Sequence, residues 1–478
     1  MKLAFVKMPP TYADWYKQPF LGISYISSYL ESKGYECNLF DAYYHSWSYD
    51  ELYDKVMEYE PDVIGITAMT YEVIRASQFA EDVKKERNIT AIVGGPHVTA
   101  LPERTLDEFD AFDFGVHGEG EFTALELLKA IENNGDFSSI KGLVYRDDNN
   151  QVKVNKERPW ITGEELSEIP YPGYHFYYGS NPKALVNKND YYVMYSNRGC
   201  PYSCKYCMTV LGKKVRARSP EHVIGEMEFA IKTYGAHTFC FEDEIFLFPS
   251  NRTSTILQMM IDRGLPKKIR WSGLTRPGLV DEEIIDLAKK AGCYMLGMGV
   301  ESGDDKILKA TDHLSVGVEQ IEKSVKLIQS KGINVGAFYI LGHPFETRET
   351  LDKTADLAVR LNTSTVAVGI MVPYPGTAVY NMAKKGEAGY TLLSENWSDY
   401  DKYFGGVLAI EDLPIKLLEK YQKKIIINFY FKNFRFIELF SYIWAHRTGL
   451  FFALKRWLFP KESSKTTIPV PSKFNFIK

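Results

Sequence analysis

The strongest restriction on the fold comes from an alternation, running through the first 133 residues, of short apolar runs with segments whose apolar residues recur at helical spacing. In the first part of the chain the pattern predicts strands over 3–7, 37–40, 63–68, 90–93 and 113–116. Helices are predicted over 21–33, 49–59, 72–85 and 121–133. Strands that alternate with helices form a parallel sheet covered on both faces, and such sheets bind ligands beyond the carboxyl ends of their strands. The residues just after each strand are therefore the informative ones. They are Met8-Pro9-Pro10, Ala68-Met69-Thr70, Gly94-Gly95-Pro96-His97-Val98-Thr99 and His117-Gly118-Glu119-Gly120-Glu121. Glycine lets a ligand approach the backbone closely. Each such segment is also an ordinary turn between a strand and a helix. No GxGxxG follows the first strand, which argues against a nicotinamide dinucleotide.

A chain of 478 residues holds two to four domains at roughly 100 to 200 residues each. Lys plus Arg is 57 against 61 for Asp plus Glu, a net charge of −4, so there is no whole-chain basic field to draw nucleic acid. Three of the six cysteines crowd into Gly199-Cys200-Pro201-Tyr202-Ser203-Cys204-Lys205-Tyr206-Cys207, directly after a strand-like run over 190–198. Disulfide frameworks use evenly spread cysteines in secreted chains, so this distribution fits a reducing, cytoplasmic setting and a metal site. Three thiolates can hold three corners of a four-iron, four-sulfur cluster and leave one iron open. A structural zinc site asks for a fourth ligand, usually in a second pair, and no second pair follows here. Cys37, Cys240 and Cys293 are scattered and read as small buried hydrophobes.

The CxxxCxxC segment, with the aromatic Tyr206 before its last cysteine, resembles the cluster-binding motif of radical S-adenosylmethionine enzymes. The resemblance implies a [4Fe-4S] cluster on Cys200, Cys204 and Cys207, with S-adenosylmethionine on the open iron. It also implies a partial (β/α)6 barrel, and strands are expected over 238–241, 269–274, 294–300, 335–341 and 366–372. Residues at the carboxyl rim of a parallel barrel carry its chemistry. Phe241-Glu242-Asp243-Glu244 resembles the family's acidic patch, where Asp243 would accept hydrogen bonds from the substrate ammonium or else cap the next helix. Glu301 and Ser302 resemble the segment that holds the ribose and methionine parts. Arg276 would face the same pocket or form a surface ion pair. Gly342, in Leu341-Gly342-His343-Pro344-Phe345-Glu346-Thr347, resembles the motif beneath the adenine, and Pro373-Tyr374-Pro375-Gly376-Thr377 resembles a substrate-side loop.

The N-terminal glycine segments resemble the cobalamin-binding domain that precedes the barrel in one subclass of these enzymes. By that resemblance Thr67, Thr70, Gly94, Gly95, Pro96, His97, Gly118, Glu119, Gly120 and Glu121 would line cobalamin. Asp41-Ala42-Tyr43-Tyr44-His45-Ser46-Trp47 departs from the Asp-x-His-x-x-Gly signature that supplies a histidine to cobalt, so His45 reads as a loop residue. The implied organisation is a doubly wound, Rossmann-like domain over 1–150, a linker over 151–185, the barrel over 186–410 and a helical extension over 411–478.

An unactivated carbon has no acidic proton, so cofactors must open it while the protein positions the reactants and excludes water. The resemblance implies hydrogen abstraction by a 5′-deoxyadenosyl radical and methyl transfer from cobalamin to a small or lipid-like substrate. A one-electron donor such as flavodoxin or ferredoxin would reduce the cluster. Other members use cobalamin in cyclisation, ring rearrangement or carbon–carbon joining. A methylthiotransferase would need further N-terminal cysteines, and a cobalamin or redox sensor has no use for an open iron. After the barrel, the stretch 413–459 is rich in aromatic, aliphatic and basic residues. No apolar stretch there reaches the roughly 20 residues that span a bilayer, so it reads either as a helical cap on the barrel or as a peripheral contact with an anionic membrane.

Overall fold

A computed structural model describes residues 1–10, 18–187, 190–247, 250–311, 316–401 and 406–445. They form two compact units. The first comprises Met1–Arg158, Pro170–Gly179 and the described residues from Phe434; the second comprises Pro159–Ile169 and Ser180–Asn433. The expected linker over 151–185 is thus divided between the two units.

The first unit is built on seven strands, β1 (Lys2–Lys7), β2 (Glu36–Asp41), β3 (Val63–Thr67), β4 (Thr90–Gly94), β5 (Phe114–Val116), β6 (Leu143–Arg146) and β7 (Val152–Val154). Their order is β2-β1-β3-β4-β5-β6-β7. The first five are parallel, while β6 and β7 pair antiparallel at the edge. Leu3, Val63 and Ile92 of the sheet pack with Ile23, Leu30, Leu127 and Leu128 of the covering helices in one apolar cluster. The order reverses between β1 and β3, which makes the carboxyl ends of these two strands the place where a ligand crevice opens.

In the second unit, β8 (Tyr192–Met194) runs toward a small antiparallel ribbon of β9 (Asn197–Arg198) and β10 (Arg216–Ala217), and the cysteine segment is the loop between them. Five further strands follow: β11 (Thr238–Phe241), β12 (Arg270–Thr275), β13 (Cys293–Glu301), β14 (Asn334–Leu341) and β15 (Thr365–Ile370). They pair in the order β15-β14-β13-β12-β11-β8, all parallel, which gives the six strands expected of a partial barrel. Trp271, Phe241 and Phe246 are fully buried beside β11 and β12, Phe241 stacked on Phe246 and both meeting Trp271 edge-on.

The extension expected over 411–478 is divided, and its first helix packs on the barrel, one of the two readings of that stretch. Ile415–Lys432 buries Leu418, Tyr421, Ile425, Phe429 and Tyr430 within the second unit. Gln422 donates to the Val368 carbonyl of β15 at 2.7 Å, and Lys424 pairs with Asp352 at 2.6 Å. Helix Phe436–Ala445 differs, since Phe436, Ile437, Phe440, Ile443 and Trp444 are all exposed. Among the described residues no helix is long and apolar enough to cross a membrane. The basic residues His446, Arg447, Lys455 and Arg456, and the rest of the tail, lie outside the described residues.

Candidate cobalamin site and iron–sulfur site

The strand-end residues of the first unit gather at one edge of its sheet. Gly95 has φ +101°, and a Cβ there would stand 2.9 Å from Thr67 Oγ1 and 3.0 Å from the Ala68 carbonyl, so the β4 exit lies against the β3 exit with no room for a side chain. The Ala68 N–H donates to the Gly94 carbonyl, the His97 N–H to the Ala68 carbonyl, and the Gly118 N–H to Thr99 Oγ1. Gly118, at φ +84°, has open space where a Cβ would be. This glycine-edged cradle, free of side chains at Gly94 and Gly118, fits a broad flat ring such as cobalamin. Thr67, Thr70, Glu119 and Glu121 are buried around it. Pro96 opens the short helix Pro96–Ala100, and Gly120 opens helix Gly120–Asn133.

His97 does not reach this cradle's surface. Its side chain has no exposed area, and burial pulls its imidazole down to about 4, so it is a neutral interior group. His45 is likewise not in a loop: it ends the short helix Ala42–His45, with its ring stacked on Trp47 at 4.4 Å. Asp41 is spent internally, accepting from the Tyr44 N–H, the Phe20 N–H and the Tyr177 hydroxyl.

Sequence reasoning missed a charge pair at the switch point. Lys7, the last residue of β1, places Nζ 2.5 Å from both carboxylate oxygens of Glu72, and each side chain is almost entirely buried. Glu72 also accepts from the Met69 N–H at 2.9 Å, so the pair braces the β3 exit. No local pattern signals it, because the partners stand 65 residues apart.

In the second unit none of the three cysteines of the loop is in a disulfide. Gly199, at φ +93°, precedes them where a Cβ would strike the Lys214 carbonyl. The Cys200 N–H donates to Gly212 O and the Cys207 N–H to Cys204 O, curling the loop on itself. Lys205 fastens it to the barrel. Its backbone N–H and its ammonium donate to the Thr311 and Ala310 carbonyls at a helix carboxyl end, and its carbonyl accepts from Val379. Arg216 ties β10 to the Ile161 and Leu211 carbonyls at 2.7 and 2.6 Å. Among the described residues no three His, Cys, Asp or Glu groups close on a single-ion site. A four-iron cluster makes a different demand, with each thiolate on its own iron.

Charged groups converge on this loop from three strand ends. Arg276, just beyond β12, donates to Cys204 Sγ at 3.6 Å and lies 3.5 Å over the Tyr202 ring. Glu301 ends β13 beside a register shift, at φ +63°. Bulges and left-handed backbone at a non-glycine residue are costly locally, and they re-aim side chains beside active sites. Burial pushes the Glu301 carboxyl up to about 7, against the opposing pull of the Tyr206 hydrogen bond and the Arg276 charge. Tyr206 bonds to Cys204 as well, and its ring meets His343 edge-on at 5.6 Å. Glu301 Oε2, Arg276 Nε, Thr275 Oγ1 and Glu346 Oε1 are buried polar atoms without a hydrogen-bond partner in the protein. Buried polar groups are rarely left so, and four at one barrel rim mark a place built for a polar ligand. The donor set and these orphaned atoms fit a cluster that carries S-adenosylmethionine.

Two expectations for this rim, for Asp243 and Ser302, need adjustment. Asp243 is fully buried, and its carboxylate accepts from the Ser196 N–H and hydroxyl at 2.6 Å and from the Asn197 N–H at 2.9 Å. It straps β11 to the segment entering the cysteine loop and has no accessible surface for a substrate ammonium. Glu244 is the neighbouring carboxylate whose charge reaches Cys200 and Cys207, and it also accepts from the Gly199 N–H at 3.1 Å. Ser302 is internal too, bonded to Thr354 and Asp304. Gly342, at φ +95°, donates its N–H to Glu346 at 2.5 Å, and its carbonyl accepts from the Tyr390 hydroxyl.

Comparison with known proteins agrees with both halves. The B12 binding domain family matches residues 16–128 and the radical SAM superfamily matches residues 194–358. The chain is 29% identical over 421 residues to the uncharacterized methyltransferase PH0819 of Pyrococcus horikoshii, covering 87% of this chain and 88% of that protein. It is 27% identical to the anaerobic magnesium-protoporphyrin IX monomethyl ester cyclase of Rubrivivax gelatinosus, over 74% of this chain and 64% of that one. The fold resembles that of the radical S-adenosylmethionine methyltransferase TsrM from Kitasatospora setae, solved with cobalamin and a [4Fe-4S] cluster. The TM-score is 0.70, with 18% identity, over 89% of this chain and 90% of that chain. A B12 binding domain carries cobalamin, and a radical SAM domain carries a [4Fe-4S] cluster and S-adenosylmethionine, so these three are the cofactors of the chain. Joining the two domains in one polypeptide, it belongs to the cobalamin-dependent radical S-adenosylmethionine enzymes, a group that contains both methyltransferases and anaerobic cyclases.

Proposed function

We propose that the chain methylates an unactivated carbon of a small or lipid-like substrate. The observation that carries this reading is the three-thiol loop, without a disulfide, fastened at the barrel rim beside the Glu301 carboxylate, whose Oε2 has no hydrogen-bond partner, in a chain that also folds a glycine-edged B12 domain. When bound, the cluster with S-adenosylmethionine supplies hydrogen-atom abstraction and cobalamin supplies the methyl group. Cys200, Cys204 and Cys207 would hold the cluster. Glu301 and Arg276 offer opposite charges suited to the ammonium and carboxylate of an amino-acid moiety. Glu346, its carboxyl pushed up to about 8 by burial, holds a proton near neutrality and fixes the Gly342 turn. Thr67, Thr70, Gly94, Gly95, Gly118, Glu119, Gly120 and Glu121 would form the cobalamin cradle. The methyltransferase relative that spans 87% of the chain supports the methyl outcome.

The cyclase relatives support a second reading, cyclisation or carbon–carbon joining without methyl transfer. Anaerobic reconstitution with iron, sulfide and cobalamin separates the two by their products. Methylation releases 5′-deoxyadenosine and S-adenosylhomocysteine as substrate is consumed, whereas cyclisation releases no stoichiometric S-adenosylhomocysteine. A variant with serine at positions 200, 204 and 207 that still released 5′-deoxyadenosine would overturn both.

A cytoplasmic low-potential electron donor of the flavodoxin or ferredoxin class completes this reading. The exposed apolar residues of Phe436–Ala445, with Lys432 and Arg435 just before them, suit contact with an anionic bilayer. Flotation with phosphatidylserine vesicles checks that contact. Binding that disappears in high salt supports it, and no binding at low salt removes it.

A further inference from the structure

We infer that Arg276 is a redox-positioning residue, a fixed cation that raises the reduction potential of the cluster by donating to the Cys204 sulfur. The inference rests on the cluster-binding reading above and concerns a property that reading leaves open. Arg276 is 8% exposed, so its charge is screened little by water. Its Nη2 stands 3.6 Å from Cys204 Sγ, and its guanidinium plane lies 3.5 Å over the Tyr202 ring. Tyr202 and Cys204 both belong to the cysteine loop, so the side chain spans from β12 to the loop and is held at both ends. A flexible lysine would not be held this way, because only the planar fork stacks and donates at once.

The negative charge around the loop gives this cation its significance. Glu244 and Glu301 both act on the Cys207 thiol. With three thiolates added, each carboxylate disfavours placing one more electron on a cluster. Hydrogen bonds to cluster sulfurs and nearby net charge are the levers by which a protein moves such a potential. Reduction adds one electron from an external donor and needs no proton at Arg276, so the guanidinium acts by charge and donation alone.

Potentiometric titration of the reconstituted holoenzyme, followed by electron paramagnetic resonance without S-adenosylmethionine, tests the inference. At the poise where the wild-type cluster is half reduced, Arg276→Met is expected to lower the ratio of reduced to oxidised cluster about tenfold, which is 59 mV for one electron. Arg276→Lys keeps the charge but loses the stacked, forked hold, and should recover only part of the difference. Tyr202→Leu keeps the cation but removes the ring that fixes it, and should lower the ratio about threefold. That variant also serves if Arg276→Met does not retain its iron. An unchanged ratio in Arg276→Met at full iron content overturns the inference, as does an unchanged ratio in Tyr202→Leu should the first variant lose its cluster. A wild-type chain that takes up no cluster would instead remove the reading beneath it.

Discussion

Replacing Lys7 by methionine should damage the first unit out of proportion to the loss of one side chain. Lys7 and Glu72 are each 3% exposed, and the ammonium touches both carboxylate oxygens at 2.5 Å. Lys7→Met leaves the Glu72 charge buried without its counter-ion, a situation that costs about 3–5 kcal/mol. Adding Glu72→Gln removes that charge while keeping an oxygen for the Met69 N–H, so the double variant should return to within about 2 kcal/mol of wild type. The two free energies differ enough to be read by hydrogen exchange on the full chain. Because about 1.4 kcal/mol is a tenfold change in an equilibrium, amides of peptides covering residues 63–72 should exchange on the order of 10² to 10³ times faster in Lys7→Met. The double variant should recover most of that protection. Exchange in Lys7→Met within about threefold of wild type, or a double variant no better protected than the single, would refute the brace.

Other expectations follow from single contacts. Gly95→Ala drives a Cβ into Thr67 Oγ1 and the Ala68 carbonyl at a positive φ, so cobalamin retained after gel filtration, read by its visible absorbance, should fall at least about tenfold with iron content unchanged. Asp243→Ala strips the acceptor from two backbone N–H groups and a hydroxyl ahead of the cysteine loop, at a cost of about 2–4 kcal/mol, and iron bound per chain should drop; full iron content would contradict the strap. Glu346 has its carboxyl raised by burial to about 8, well above the ordinary range, so the folded chain holds that proton more tightly than the unfolded chain. Its contribution to stability is complete below about pH 4 and is lost as pH rises through about 8. Melting temperature against pH should show that decline in wild type and lose it in Glu346→Gln.

Much of the fold could be read from local pattern. The helix predicted over 49–59 is observed as Tyr49–Tyr59, held at its start by a reciprocal cap between Ser48 and Glu51. The strand predicted over 238–241 is Thr238–Phe241, fully buried. The hairpin of β6 and β7 was not legible, since its strands are four and three residues long and partly exposed, too short to show a period. In the site, the thiol loop and Glu301 stand out by spacing and by position after a strand. The internal role of Asp243 does not, because a carboxylate in a Glu-Asp-Glu run shows its partners only when β8 and β11 lie side by side.

The order of residues alone determines the two βα arrays, the three-thiol loop and the glycines at the strand ends. Helical and strand periods, and the closeness of chelating cysteines, are properties of neighbours along the chain. Tertiary structure decided which charges face which. Lys7 meets Glu72 across two strands, Lys205 anchors the loop to a helix end more than a hundred residues away, and Arg276 reaches Cys204 over a separation of 72. The physical reason is range: periodicity and local hydrogen bonding act within a turn or two of chain, while burial and Coulomb energy depend on distances in space that only the packed sheets set.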